Sequence, residues 1–167
     1  FALFTYIRPF LETVTRVDIP TLSMILLVLG MAGVLGTTLI GAFLKRSLYA
    51  TLATIPVLMA LIALAFTAVG SSLSMAFALS ALWGMMATAA PVGWWSWLAR
   101  SLPQSAEAGG GLMVAVIQLC IALGSAVGGI LFDGIGYQTA FATSAFLLTA
   151  AAALAFLTSR AHAPHAA

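Results

Sequence analysis

Residues 20–46, PTLSMILLVLGMAGVLGTTLIGAFLKR, decide the fold of this chain, because a long apolar run ends there at two basic residues. A helix rises about 1.5 Å per residue, so a run of this length crosses the ~30 Å hydrocarbon core of a bilayer. Four more runs share this character: residues 48–70, 73–98, 112–132 and 138–159. Together with the first, at residues 20–44, they predict a polytopic membrane protein.

The composition excludes a soluble domain. Of the 167 residues, 63% are hydrophobic and only 6% are charged, which leaves too little polar surface to face water. Backbone polar groups must be paired inside hydrocarbon, and runs of this length achieve that as helices rather than as barrel strands of about 10 residues. We therefore predict an all-α bundle. The six Lys and Arg are spread over separate joints, so they indicate topology and not a nucleic-acid groove.

The first residues form a shorter apolar segment. Residues 1–12 are too short to span a bilayer alone, and they carry no initiator Met, basic leader or cleavage site. We interpret them as the outer part of a helix and expect the chain to be a piece of a longer protein. The transmembrane bundle then covers residues 1–159, with a polar loop at residues 101–108 and a cytoplasmic tail at residues 160–167.

The basic joints set the expected orientation. Lys45, Arg46, Arg100 and Arg160 follow alternate spans, whereas the opposite joints contain only Arg16 as a basic residue. The positive-inside rule makes the basic side cytoplasmic. We therefore expect a multi-pass protein of the cell inner membrane, with its C-terminus in the cytoplasm.

Small residues divide the spans into two kinds. The runs beginning at residues 20, 73 and 112 carry glycines, whereas residues 48–69 and 138–159 carry none. Helices in lipid associate through close backbone approach, so we expect the glycine-poor pair at the lipid-facing periphery and the others packed or facing a cavity. The candidate packing glycines are Gly41, four residues after Thr37, and the GxxxG pair Gly124 and Gly128. Such faces either pack statically or slide during a transport cycle.

Gln118 is the sharper polar signal, because hydrocarbon cannot satisfy an amide in the middle of a span. At helical spacing it shares a stripe with Ser125. The stripe either lines a substrate cavity or makes an interhelical hydrogen bond, and Thr37 is a further candidate for the cavity wall.

Pro91 and Trp94 stand close together in the third full span. Pro91 removes a helical hydrogen bond and, with Gly84 nearby, predicts either a static kink or a gate. Trp94 lies shortly before Arg100, where an interfacial aromatic belt is expected, but it could also form the floor of a cavity and stack on a ring-shaped substrate.

Arg8 is the basic side chain drawn into an apolar segment, four residues before Glu12. It either snorkels to the interface or supplies a cation at the outer mouth of a substrate path. The sequence contains no Ser/His/Asp set, HExxH motif or paired intramembrane aspartates, and its single cysteine excludes an internal disulfide. We expect no enzyme activity, no metal and no cofactor.

Five strings resemble a known family: TYIRPFLE (residues 5–12), GAFLKRS (41–47), PVGWWSW (91–97), VAVIQL (114–119) and GSAVGGILFDGIG (124–136). They look like the C-terminal six-helix half of a major facilitator superfamily transporter with twelve helices. The closest likeness is to the drug:proton antiporter-1 class, among its bacterial purine-ribonucleoside exporters and sugar-efflux relatives. Gly41 and Arg46 fit the loop motif of the superfamily, whereas Lys45 occupies its acidic position.

This resemblance implies a secondary active transporter that exports a small solute by alternating access, with proton antiport. Nucleosides are the first expectation, with sugars and drugs behind them. The implied partners are the substrate, protons, the bilayer and an N-terminal half of the same transporter. An alternative is a non-transporting six-helix membrane subunit or scaffold, which the shortage of intramembrane carboxylates favours.

Overall fold

The computed structural model describes residues 2–161, and its elements there are helices joined by short connections. They are α1 (Ala2–Phe10), a π-helical turn (Leu11–Thr15), α2 (Ile19–Arg46), α3 (Leu48–Val69), α4 (Leu73–Ser101), α5 (Ala106–Gly134) and α6 (Tyr137–Ala161). The five helices α2 to α6 are long and apolar enough to cross a membrane. The all-α prediction is confirmed over these residues. Phe1 and residues 162–167 of the predicted tail lie outside them.

Helix α5 begins at Ala106, ahead of the predicted residue 112, and α4 ends at Ser101, so the expected loop at residues 101–108 is shortened to residues 102–105. Glu107 lies in the first turn, where a carboxylate complements the positive end of the helix dipole. The glycines that follow weaken the helical signal in the sequence. In the fold they admit neighbouring side chains, since a Cβ on Gly110 would lie 3.2 Å from Trp95.

Two hydrogen bonds stabilise the joint between α1 and α2. The Thr15 hydroxyl donates to the carbonyl of Gly70 at 2.8 Å, which ties the π turn to the end of α3. Arg16 then adopts a left-handed conformation with φ of 57°. The Asp18 carboxylate accepts from the Thr21 backbone N–H at 3.2 Å and caps α2. Hydrogen bonds from Thr21 lower the pKa of the Asp18 carboxyl.

Helices α2 and α4 pack at backbone contact. A Cβ on Gly36 would overlap the carbonyl oxygen of Met85, and one on Gly84 would overlap that of Leu29. The Thr88 hydroxyl donates across the same interface to the carbonyl of Gly33 at 2.7 Å. Glycine therefore sets the distance between these two helices.

The structure corrects the expected burial of the spans. In the apolar stretch of α3, 39% of residues are buried, against 33% in α6 and only 6% in the glycine-bearing α5. The expectation that residues 48–69 and 138–159 lie at the periphery is wrong for the described chain, because α3 and α6 pack closely on each other. Alanine, and not only glycine, supplies the small side chains that close packing of helices needs. The buried alanines of this pair are Ala60, Ala63, Ala140, Ala145, Ala152 and Ala155.

Aromatic rings join α1 to the α3–α6 pair. The Phe10 ring lies edge-on to Phe66, with centroids 5.7 Å apart, and 5.2 Å from the Phe141 ring. All three side chains are fully buried. Because edge-to-face rings add to the gain from apolar contact, this cluster holds the short α1 against the long helices.

We predict that Gly36→Ala destabilises the protein by about 1–3 kcal/mol, since its Cβ meets a backbone carbonyl that cannot rotate away. Gly30→Ala, on the same helix, is the matched control because its Cβ meets open space. Alanine favours a helix over glycine by roughly 0.5–1 kcal/mol, so the control should be neutral or stabilised. Thermal unfolding of the intact protein in detergent measures both, and equal stability of the two variants would contradict the assigned contact.

Candidate functional site

A polar seam runs between α1 and α5. The hydroxyls of Thr5 and Ser125 lie 3.1 Å apart, within hydrogen-bond distance. The neighbouring Tyr6 hydroxyl donates to the carbonyl of Ser125 at 2.9 Å, and the Tyr6 ring stacks on Phe132 with centroids 5.2 Å apart. We call this group, Thr5, Tyr6, Ser125 and Phe132, the seam cluster.

Glycines of α5 make the seam possible. A Cβ on Gly128 would lie 2.7 Å from the Cβ of Ala2, and one on Gly129 would overlap the Tyr6 hydroxyl. Gly128 is buried and Gly124 half-buried. The GxxxG pair thus lies on the side of α5 that approaches α1, where small residues allow two helices to come close.

Gln118 lies on the open surface of α5, about two turns before Ser125. Its amide has no hydrogen-bond partner among the residues that the structure describes. A polar amide at mid-span is costly in hydrocarbon, so this face of α5 requires water or a polar partner.

Arg8 is exposed at the other end of the seam. Its Nε donates to the Glu12 carboxylate at 2.9 Å, an i to i+4 pair with 67% of the arginine side chain exposed. Helices α1 and α5 run in the same direction, since Ala2 lies against Gly128 and Tyr6, further along α1, stacks on Phe132, further along α5. Helical rise then separates the levels of Arg8 and Gln118 by roughly 20 Å, too far for both to contact one group of a small solute.

Candidates on α2 lie apart from the seam. The Thr37 side chain is exposed, and its hydroxyl donates at 2.9 Å to Val34 of its own helix. Gly41 has open space where a Cβ would stand, so it makes no close contact. Arg46 is exposed in the last turn of α2.

Candidates on α4 divide between its faces. Gly84 packs on Leu29 of α2, whereas Pro91 is exposed within a helix that continues past it. Trp94 lies edge-on to Trp97, with centroids 6.0 Å apart, in a groove shared with α3 and α6. It does not face the seam. Trp95 instead contacts α5 through Gly110 and is 44% exposed.

Thr5 and Tyr6 were not among the predicted site residues. Thr5 had a signal in the sequence, because Thr5, Arg8 and Glu12 recur at spacings of three and four, which places them on one helical face. Tyr6 gave no such signal, since a tyrosine in an apolar segment also fits an interfacial anchor.

No family model matches this chain, and no solved structure matches it. It is 56% identical over 164 residues to the "Transcription regulatory protein OpdE" of Pseudomonas aeruginosa, covering 98% of this chain and 41% of that protein. It is 41% identical over 148 residues to the "Purine ribonucleoside efflux pump NepI" of Salmonella typhimurium, covering 89% of this chain and 37% of the pump.

One of these relatives is named a regulator and the other an efflux pump, and neither name is that of an enzyme. The chain is similar to efflux pumps. It spans about two fifths of the length of the curated relatives it matches, 41% of one and 37% of the other.

We predict that Tyr6→Phe lowers stability by about 1 kcal/mol, because it deletes one hydrogen bond to the Ser125 carbonyl and keeps the ring stack. Phe132→Leu is the complementary change, which removes the stack and keeps the hydroxyl. Thermal unfolding of each single variant and of the double variant should give non-additive losses, since both groups hold one side chain. Fully additive losses would separate the two contacts.

Proposed function

We propose that this chain is the C-terminal half of a major facilitator superfamily efflux transporter, which exports a nucleoside-like solute by alternating access with proton antiport. Support comes from the similarity to efflux pumps and from five helices long enough to span a membrane. The observation that carries the proposal is the polar line of the seam, in which Gln118, Ser125, Thr5 and Arg8 follow one another on an otherwise apolar bundle.

The chemistry of this line suits a nucleoside. Ribose hydroxyls and ring nitrogens both donate and accept hydrogen bonds, as do the Gln118 amide and the Thr5 and Ser125 hydroxyls. An arginine at the outer end supplies further donors without an acceptor. In this proposal the solute moves along the seam in steps, since Arg8 and Gln118 lie too far apart to hold it together.

The exposed surface of α5 favours a second half of the transporter as its cover. Many large apolar side chains of this helix are exposed both before and after Gln118 in the sequence. They include Leu112, Val114, Val116, Leu119, Leu123, Val127 and Ile130. We place the N-terminal half of the transporter against this surface, so that Gln118 faces the path between halves.

The positions of the carboxylates among the described residues bear on which half of the transporter carries the proton. Glu12 lies in the π turn, Asp18 precedes α2, Glu107 lies in the first turn of α5, and Asp133 is near its end. None of these four groups stands at mid-span. We therefore assign the proton-carrying acid to the N-terminal half and the solute contacts to the seam. The protein would lie in the inner membrane with its basic helix ends in the cytoplasm.

We predict that Gln118→Leu in the intact protein lowers nucleoside efflux at least tenfold at unchanged membrane abundance, because the path loses its mid-span amide. Gln118→Asn keeps an amide and should retain more activity than the leucine form. Efflux of radiolabelled inosine or guanosine from loaded cells measures both. Wild-type efflux by Gln118→Leu would remove the residue from the path.

Arg8 tests the outer end of the same path. We predict that Arg8→Lys loses most efflux and resembles Arg8→Ala, because an ammonium cannot reproduce the two parallel donors of a guanidinium. Efflux at matched membrane levels is the measurement, and the Glu12→Gln form controls for loss of the ion pair. Near-normal efflux by the lysine form would leave Arg8 as an interfacial anchor.

A regulatory role is the second candidate, and the 56% identity to a protein named a transcription regulator favours it. A membrane bundle without a basic groove suits regulation through the level of an exported solute better than contact with DNA. Reporter expression in the Gln118→Leu strain separates the cases. If reporter expression changes together with efflux, the result supports the transporter. If reporter expression stays at the wild-type level although efflux is lost, the result supports a non-transporting regulator or subunit.

A further inference from the structure

An apolar groove opens on the side of the bundle away from the seam. Its volume is about 250 Å³, and it lies between the start of α3, the end of α4 and the last turns of α6. Tyr49, Trp94 and Trp97 line it from α3 and α4, and Ala151 and Ala155 line it from α6. The solute path described above uses none of these side chains.

The rings lie near the helix ends of α3 and α4, which places this part of the groove near the level of lipid headgroups. Tyrosine and tryptophan collect at the membrane interface, because each has an apolar body and one polar group. The alanines continue from there toward the bilayer centre and present a smooth surface, since alanine projects only a methyl group. A groove lined by aromatic rings and by the aliphatic side chains of alanine and leucine suits an acyl chain.

Charge decides which lipid fits. At the end of the bundle where the groove opens, Lys45, Arg46, Arg100 and Arg160 occupy last helical turns, against the one carboxylate Glu107. Among the described residues 2–161, these four cations and one carboxylate give that end a formal charge of +3. The opposite end holds two arginines and three carboxylates, a formal charge of −1. Anionic headgroups are favoured at such basic helix ends.

Two of the basic residues are close in sequence to residues that line the groove. Arg100 follows Trp97 by about one helical turn on the same face of α4. Lys45 precedes Tyr49 across the joint between α2 and α3. Arg160 turns away, because its guanidinium lies 4.6 Å over the ring of Phe156 on the other face of α6. Lys45 and Arg100 are therefore the groups best placed to meet a phosphate.

We propose that this groove binds one anionic phospholipid, with an acyl chain on Ala151 and Ala155 and its phosphate between Lys45 and Arg100. The site is independent of the solute path, so its test does not depend on the proposed transport. Phosphatidylglycerol supplies the anionic headgroup, and phosphatidylcholine with identical acyl chains supplies the zwitterionic comparison.

The groove is tested by filling it. Ala151→Phe places a ring inside the groove, and Ala153→Phe is the matched control because Ala153 is exposed on the opposite face of the same helix. Native mass spectrometry of the purified intact protein, given equal phosphatidylglycerol and phosphatidylcholine, should show a retained phosphatidylglycerol in the wild type and the control. The Ala151→Phe form should retain at least threefold less phosphatidylglycerol than the wild type. Equal retention in all three proteins would overturn the site.

The charges are tested separately. Lys45→Gln with Arg100→Gln should reduce the preference for phosphatidylglycerol over phosphatidylcholine to about one, while lipid is still retained through the groove. Thermal unfolding gives a second measurement, since a ligand bound only to the folded state raises the midpoint temperature. Phosphatidylglycerol should raise the midpoint of the wild type and of Ala153→Phe more than phosphatidylcholine does. Equal effects of the two lipids on the wild type would overturn the proposal.

Discussion

The packing depends on one constraint, which is that helices in hydrocarbon gain nothing from burying apolar side chains against each other. They associate where backbones come close enough for dispersion and hydrogen bonding to exceed their contacts with lipid. In this chain the contact of Gly36 with Met85 and of Gly84 with Leu29 provides that approach for α2 and α4. Alanines provide it for α3 and α6. These two pairs form the rigid part on which the remaining helices rest.

Helix α5 is placed differently, because it joins this framework mainly through α1 and α6. Its contacts with α1 concentrate at the seam cluster, where the hydrogen bonds of Thr5 and Tyr6 accompany the ring stack of Tyr6 on Phe132. A helix that is weakly buried and still carries specific hydrogen bonds can move against its neighbours at small energetic cost. This is the physical reason to connect α5 with a solute path and the α3–α6 pair with support.

The fold was predictable wherever length and hydropathy decide it. The apolar runs located the spans, and their basic ends located one side of the bundle. The partners of each helix were not predictable, since alanine appears in every run and marks no contact by itself. The start of α5 was hidden by its glycines, which look like a loop and pack on Leu98, Leu102 and Trp95. Of the candidate site, the shared helical face of Gln118 and Ser125 could be inferred from their spacing. The facing of Trp94 could not, because one residue turns a side chain by about 100° around the helix.

The π-helical turn at Leu11–Thr15 has a consequence for how this chain can change over evolution. A π turn holds more residues over the same rise than an α turn does. The joint can therefore lose a residue by tightening to α-helical spacing, without rotating α1 against α5 or α2 against α4. Insertions and deletions between α1 and α2 are thus best tolerated at this joint, and the anchor from Thr15 to Gly70 would be the first contact exchanged.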